Sequence, residues 1–357
     1  MFHHKSLLKG FYGTFFLLVI LFFQLYIHVE SQSIPSDFFL DVAGISISAV
    51  SRYVCTIEAV PSIEVGGRAV CWGSPDDENT KPPDDHLFVQ IITTTKFACG
   101  ITVEQRAFCW GQHYGGETME IEGLYTQLTG SDMFACGVLV DGNINCWPEH
   151  LDTTLTPPEK GKYDFVQVSC CSSHCAGLDK NAHVISWDIK GIHGENGHMM
   201  NTDHKSLRPP LVEISGKEGP DDFYIDDEED EEANVEEEEE KVIRHMLLKQ
   251  ISVSRGYTCG ILYEDASLYC WGKKPFTKQG PFRQVSAGKF GVCTIQDGTN
   301  ALECNGVIRR TFKPRDVEYD QISVGEYVTC SVSMDSTAAC HSVFPELRNV
   351  PRDLILA

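Results

Sequence analysis

The chain has no stretch of sustained 3.6-residue hydrophobic periodicity closed by caps, except a short candidate helical turn at Lys241–Lys249, and this argues against a helical protein. It has no surplus of basic residues. Lys and Arg number 29 against 51 Asp and Glu, a formal net charge of −22, so little is available to neutralise phosphates and nucleic acid is not expected as a partner. After the N-terminal region there is no second apolar run long enough to span a bilayer, so no cytoplasmic domain is expected behind the body of this chain. There is no Asn-x-Ser/Thr sequon and no Cys-x-x-Cys, which leaves N-glycosylation and dithiol oxidoreductase chemistry without support. No Ser/His/Asp, paired-carboxylate or Cys/His arrangement stands out at a place shared between segments. No catalytic, cofactor-binding or metal-binding residue is therefore assigned, and no cofactor is expected.

At the N-terminus, Lys5 and Lys9 precede an apolar run from Phe11 to Val29, and the first acidic residue is Glu30. Residues 1–31 read as a signal peptide, with Val29 and Ser31 small enough for a cut before Gln32, or as an uncleaved signal anchor, since the run approaches bilayer length. Both readings deliver the rest of the chain to the secretory pathway, extracellular or membrane-anchored with its mass on the lumenal side. The fifteen cysteines, most at regular intervals, suit the same oxidising compartment. Charge is concentrated between Asp221 and Glu240, where fourteen of twenty residues are acidic, a self-repelling run expected to be solvated and disordered. It lacks the spacing and central Gly of a calcium loop.

What recurs is a hairpin. Gln127–Trp147 reads as strands Met133–Leu139 and Asn143–Trp147 joined at Val140-Asp141-Gly142. With Gly142 in a left-handed conformation, Cys136 falls opposite Cys146, close enough for a disulfide. The pattern returns at roughly 34–40 residue intervals, as when one supersecondary unit is stacked repeatedly. The units are Ser48–Gly73, Phe88–Gly111, Gln127–Trp147, Phe165–Trp187, Lys249–Gly272, Phe282–Gly306 and Tyr319–Ser342. They predict pairs of Cys55 with Cys71, Cys99 with Cys109, Cys136 with Cys146, Cys259 with Cys270, Cys293 with Cys304, and Cys330 with Cys340. In the fourth unit Ala176 and Ser186 stand where the two cysteines would be, so that staple is expected to be lost. Residues 188–246 break the period and read as an acidic disordered insertion; Leu211–Gly216 faintly resembles a first strand. Phe38–Val42 and the tail from Val343 are candidate closing strands.

Each unit has room for three or four short strands that cannot bury both faces alone. The expected fold is all-β, a seven-bladed β-propeller with intra-blade disulfides over residues 38–357, with an open β-solenoid as the structural alternative. QISVSRGYTCGILYEDASLYCWG, at Gln250–Gly272, and QVSAG, at Gln284–Gly288, resemble the repeat of the regulator of chromosome condensation superfamily. They are more similar to its cysteine-containing version in the ectodomains of plant Crinkly-type receptor-like kinases. The resemblance spans nearly the whole chain after Asp41 apart from the acidic segment and implies a seven-bladed propeller. It carries no function across, since this chain has no Gly-rich nucleotide loop, HRD-type loop or DFG, and no exchange residue can be placed.

The expected function is a non-enzymatic interaction module, receptor-ectodomain-like, binding an unidentified protein or glycan through loops of one rim, with membrane anchorage through the N-terminal segment open. Two alternatives stand beside it: an extracellular hydrolase or lyase using the channel, and a GTPase nucleotide exchange factor, which the N-terminal signal disfavours. Cys171-Ser-Ser-His174-Cys175, with His193, His198 and His204, superficially resembles a metal cluster. Structural zinc needs four ligands at paired spacings, so one local disulfide among Cys170, Cys171 and Cys175 plus one thiol is expected instead. Trp72, Trp110, Trp147, Trp187 and Trp271 hold a fixed place in their hairpins and are expected to pack between blades.

Overall fold

The computed structural model describes residues 47–49, 53–60, 65–73, 81–148, 157–188, 212–214, 242–244, 247–272, 275–306, 317–342, 344–351, 354 and 356. All lie within the compact unit Phe39–Ala357. The expectations for residues 1–31, for Phe38–Val42 and for the acidic run Asp221–Glu240 fall outside the described residues.

Every repeat folds into an antiparallel blade of inner, middle and outer strands. The inner strands include Phe165–Cys170, Leu248–Ser254, Phe282–Gly288 and Tyr319–Val324. The middle strands carry the first cysteine of each regular pair and the outer strands the second. The long strand Thr118–Gly130 serves two blades: Thr118 pairs with Trp110 at the outer edge of the second, and Thr129 pairs with Cys136 as the inner strand of the third. The middle and outer strands of the third blade are Ala135–Leu139 and Ile144–Trp147. The middle strand starts later than Met133 because Ser131 closes the preceding turn by donating its N–H to the Phe134 carbonyl (2.9 Å), and the outer strand starts one residue after Asn143, whose carbonyl accepts the Leu139 N–H (2.8 Å).

The turn between middle and outer strands holds a left-handed residue in every blade: Gly66, Gln105, Gly142, Ala182, Ala266, Asn300 with Gly298, and Ser336. Gly142 faces the tightest steric limit of these, since a Cβ there would lie 2.2 Å from Asp164 Oδ1. The carbonyls of these turns reach across to the next blade. Gln105 accepts from the N–H of Tyr125 (2.7 Å), Gly142 from Phe165 (2.9 Å), Ala182 from Leu248 (3.0 Å), Ala266 from Phe282 (2.8 Å) and Asn300 from Tyr319 (2.9 Å). Short-range turn chemistry thereby sets where each following inner strand begins.

Blades meet face to face through seven apolar clusters, one at each boundary. Each tryptophan packs on the preceding neighbour, as the hairpin position suggested. Trp110, 1% exposed, sits with Tyr53, Cys55 and Ile57 of the first blade, and Trp147 donates its indole N–H to Cys109 Sγ of the second (3.3 Å). The seventh cluster joins Val328, Cys330 and Val332 to Ile47, Val54 and Trp72, so the ring closes. The C-terminal segment reinforces the seam. Leu347 is fully buried there, its carbonyl accepts the Trp72 indole N–H (3.3 Å), and Leu356 bridges Glu58 on the first blade.

In six blades the two predicted cysteines are directly opposed and bonded, namely Cys55–Cys71, Cys99–Cys109, Cys136–Cys146, Cys259–Cys270, Cys293–Cys304 and Cys330–Cys340. The fourth blade bears out the sequence reading. Ala176 faces Ser186 where the regular staple is missing, and the local disulfide expected among Cys170, Cys171 and Cys175 is Cys170–Cys175, directly opposed across the inner and middle strands. Two findings concern the insertion, the first within the Leu211–Gly216 stretch that resembles a strand and the second a correction. Val212–Ile214 is a strand whose partner, Val242–Arg244, comes after the acidic run, so that run lies within the connection of a two-stranded ladder. The helical turn expected at Lys241–Lys249 is replaced by Val242–Arg244 and the start of Leu248–Ser254, where β-branched Val242 and Ile243 favour extended backbone.

Candidate functional site

The inner strands of all seven blades line one central cavity of about 210 Å³. Its wall is built from a polar repeat. Gln90 Oε1 accepts the N–H of Leu128 (2.7 Å), Gln127 that of Val168 (2.8 Å), Gln167 that of Ile251 (2.9 Å), Gln250 that of Val285 (2.7 Å) and Gln284 that of Ile322 (3.0 Å). On the other inner strands a hydroxyl does the same, two residues beyond the glutamine where there is one; the second blade has Ile92 at that place. Ser48 accepts from Thr93 (3.0 Å), Ser169 from Val253 (2.9 Å), Ser252 from Ala287 (2.9 Å), Ser286 from Val324 (3.0 Å) and Ser323 from Ala49 (3.3 Å). Backbone donors at the channel wall, which no strand partner reaches, are thus satisfied from the neighbouring blade. The Gln-x-Ser/Thr pattern was visible in the sequence, but its role emerges only once the ring is closed.

Where the inner strands turn back, repetition stops. The same turn position is occupied by Asp132, Ser172, Arg255, Lys289 and Glu326 in successive blades from the third to the seventh, and all five line the cavity. Burial pushes the Asp132 carboxyl above its ordinary range, and the negative charge of Glu326 adds to this. A hydrogen bond from Ser172 and the charges of Arg255 and Lys289 act the other way. Lys289 bonds to Glu326, and this contact raises the Lys289 ammonium. The ammonium also lies over two aromatic rings, 5.4 Å from the centroid of Phe290 and 5.3 Å from that of Tyr327. Phe290, Tyr327 and Phe344 form an exposed aromatic row, with centroids 6.1 and 5.8 Å apart. A charged mouth with an aromatic shelf beside it has the chemistry of a recognition surface.

The Cys171–Cys175 segment, which superficially resembles a metal cluster, lies at one of these turns. The sulfurs of Cys136, Cys170 and Cys175 lie within 4.8 Å of one another, but all three are in disulfides and offer no thiolate. His193, His198 and His204 lie outside the described residues. Cys171 is the free cysteine, beside His174. Among the described residues no helix is long and apolar enough to cross a membrane.

No family model and no curated protein sequence matches the chain. Solved structures do. The chain is similar to the CRINKLY WD40 ectodomain of the Arabidopsis thaliana receptor kinase ACR4, at 18% identity over 86% of this chain and 98% of that one, with a TM-score of 0.59. It is similar to the entire ectodomain of the Physcomitrella patens receptor kinase CR4, at 17% identity over 83% and 73%, with a TM-score of 0.59. Prp20p from Saccharomyces cerevisiae, described with its binding to Gsp1p and histones, matches at 13% identity over 85% and 83%, with a TM-score of 0.52. At such identities the likeness establishes the fold, a propeller of the kind the repeat resemblance implied, and leaves function to be argued from the site.

Proposed function

We propose that the chain is a non-enzymatic extracellular or lumenal interaction module whose channel mouth and aromatic shelf bind a protein or glycan. The observation that carries this reading is the break in repetition at Asp132, Ser172, Arg255, Lys289 and Glu326 on a scaffold that otherwise repeats. Asp132 supports it separately. A carboxyl held above its ordinary range favours the folded state when protonated; that contribution is present at low pH and is lost as pH rises through the folded value, so the ionised group opposes folding at neutral pH. A side chain that the fold tolerates at a cost belongs to a working surface. Seven disulfides suit an oxidising compartment, and propellers of this fold occur as receptor ectodomains. The N-terminal apolar segment would bring the chain there as a cleaved signal or as an anchor. An exchange-factor role in a reducing compartment fits these features less well.

Full-length wild-type chain, applied to intact cells and to a glycan array, should be retained at sites that a Phe290→Ala/Tyr327→Ala variant fails to reach. The expected loss of affinity is at least about tenfold. Asp132→Asn should raise the thermal midpoint at neutral pH and weaken retention. Equal retention of all variants would place the ligand elsewhere. Turnover of a glycan panel, abolished by Asp132→Asn, would instead support a hydrolase working through Asp132 and Glu326.

A further inference from the structure

We propose that Cys171 is a nucleophilic thiol that undergoes exchange with a low-molecular-weight disulfide entering the channel mouth. The odd cysteine is not isolated chemically. Its Sγ lies 3.3 Å from His174 Nδ1 and 3.3 Å from Ser173 Oγ. The imidazole is 1% exposed, and its Nε2 meets Thr258 Oγ1 of the next blade at 3.1 Å. With Nε2–H donating to Thr258, Nδ1 is left to accept the thiol proton. A nucleophile, a base in reach of it and a third group orienting the base are together the arrangement that activates a thiol.

A second observation, from another blade, points to a ligand at the same place. The Ser131 hydroxyl is buried, with the residue 5% exposed, and has no hydrogen-bond partner although Ser131 lines the cavity that Cys171 also lines. An unmet buried hydroxyl on the cavity wall that the partly buried Cys171 shares leaves a polar contact for an incoming group to supply. Burial of the Cys171 thiol works against its ionisation. The charge and hydrogen bond of His174, with hydrogen bonds from the Ser173 side chain and backbone, outweigh burial and hold the thiol below its ordinary value. The other charged groups around the mouth are Asp132, Arg255, Lys289 and Glu326.

The step balances without an oxidant. Cys171 passes its proton to His174 Nδ1, the thiolate attacks one sulfur of the incoming disulfide, one S–S bond forms as another breaks, and the departing thiolate takes up a proton. The neighbouring cysteines Cys170 and Cys175 are already bonded to each other, so no free thiol stands ready to resolve the product, and the mixed disulfide should persist. This inference does not depend on the ligand-binding reading, because it concerns the thiol alone.

The test uses native full-length chain and glutathione disulfide over a range of pH, read by intact mass and peptide mapping. The expected result is one glutathione per chain, on Cys171, with a rate profile whose midpoint lies below about 8.5, the value of an unperturbed thiol. Cys171→Ser should abolish the adduct. Thr258→Val, which keeps thiol and imidazole, should move the midpoint toward the unperturbed value and slow the reaction severalfold at neutral pH. Three outcomes would overturn the proposal: no adduct on native chain under conditions that modify the urea-unfolded chain, an adduct at Cys170 or Cys175, or a midpoint on wild type equal to that of an unperturbed thiol.

Discussion

Trp110→Ala is expected to destabilise the propeller by about 3–5 kcal/mol, measured as a shift in the urea midpoint without a change in slope. The indole is 1% exposed and fills the boundary between the first two blades against Tyr53, Cys55, Ile57, Phe88 and Phe108. The Phe88 ring lies 5.5 Å from it, centroid to centroid. Neighbouring sheets held by a disulfide on each side cannot collapse into the space left behind, so the cavity term adds to the lost transfer free energy. Trp110→Phe should recover much of the loss by keeping a ring in place. A cost below about 1 kcal/mol would mean that the blades do not meet through this residue.

Leu347→Ala is expected to cost about 2–5 kcal/mol and to act on one seam of the ring. Leu347 is fully buried between the first and seventh blades, where Trp72 donates its indole N–H to the Leu347 carbonyl. Hydrogen exchange should rise first in Tyr53–Ala59 and Val328–Ser333, the middle strands on the two sides of that seam. Exposed Glu346, in the same 3₁₀ turn, is the control, since Glu346→Ala should change stability by no more than about 0.5 kcal/mol. Exchange that rises evenly over all blades would contradict a ring closed at this seam.

The scaffold was legible in the sequence because its determinants recur. A cysteine in each of two adjacent strands, in six units, a turn between them, and a tryptophan at the end, in five, are local features, and their recurrence through seven units builds a closed array. The fourth blade shows the limit of such reading. Three cysteines within six residues permit several pairings, and only the register that sets Cys170 opposite Cys175 and leaves Cys171 at the turn selects one. The turn at Lys241–Lys249 was misread because its pairing partner, Val212–Ile214, lies on the far side of the acidic run, where local periodicity carries no information.

The candidate site was not legible for the opposite reason. Asp132, Arg255, Lys289 and Glu326 share a turn position but no residue type, and they are separated by whole blades in the chain. Closure of the ring is what brings them to one mouth. The glutamine and hydroxyl girdle lies between these cases, since its residues repeat while its hydrogen bonds run between blades. His174 stood out in the sequence only as a superficial metal ligand, because Thr258, which holds its ring, comes from beyond the insertion.

The most direct measurement of the central claim is a non-reducing peptide map of native chain alkylated before digestion. A seven-bladed propeller with one staple per blade predicts the six middle-to-outer pairs, the Cys170–Cys175 link of the fourth blade, and label on Cys171 alone. Label on both members of any predicted pair, or a bond from Cys171 to Cys170 or Cys175, would contradict it.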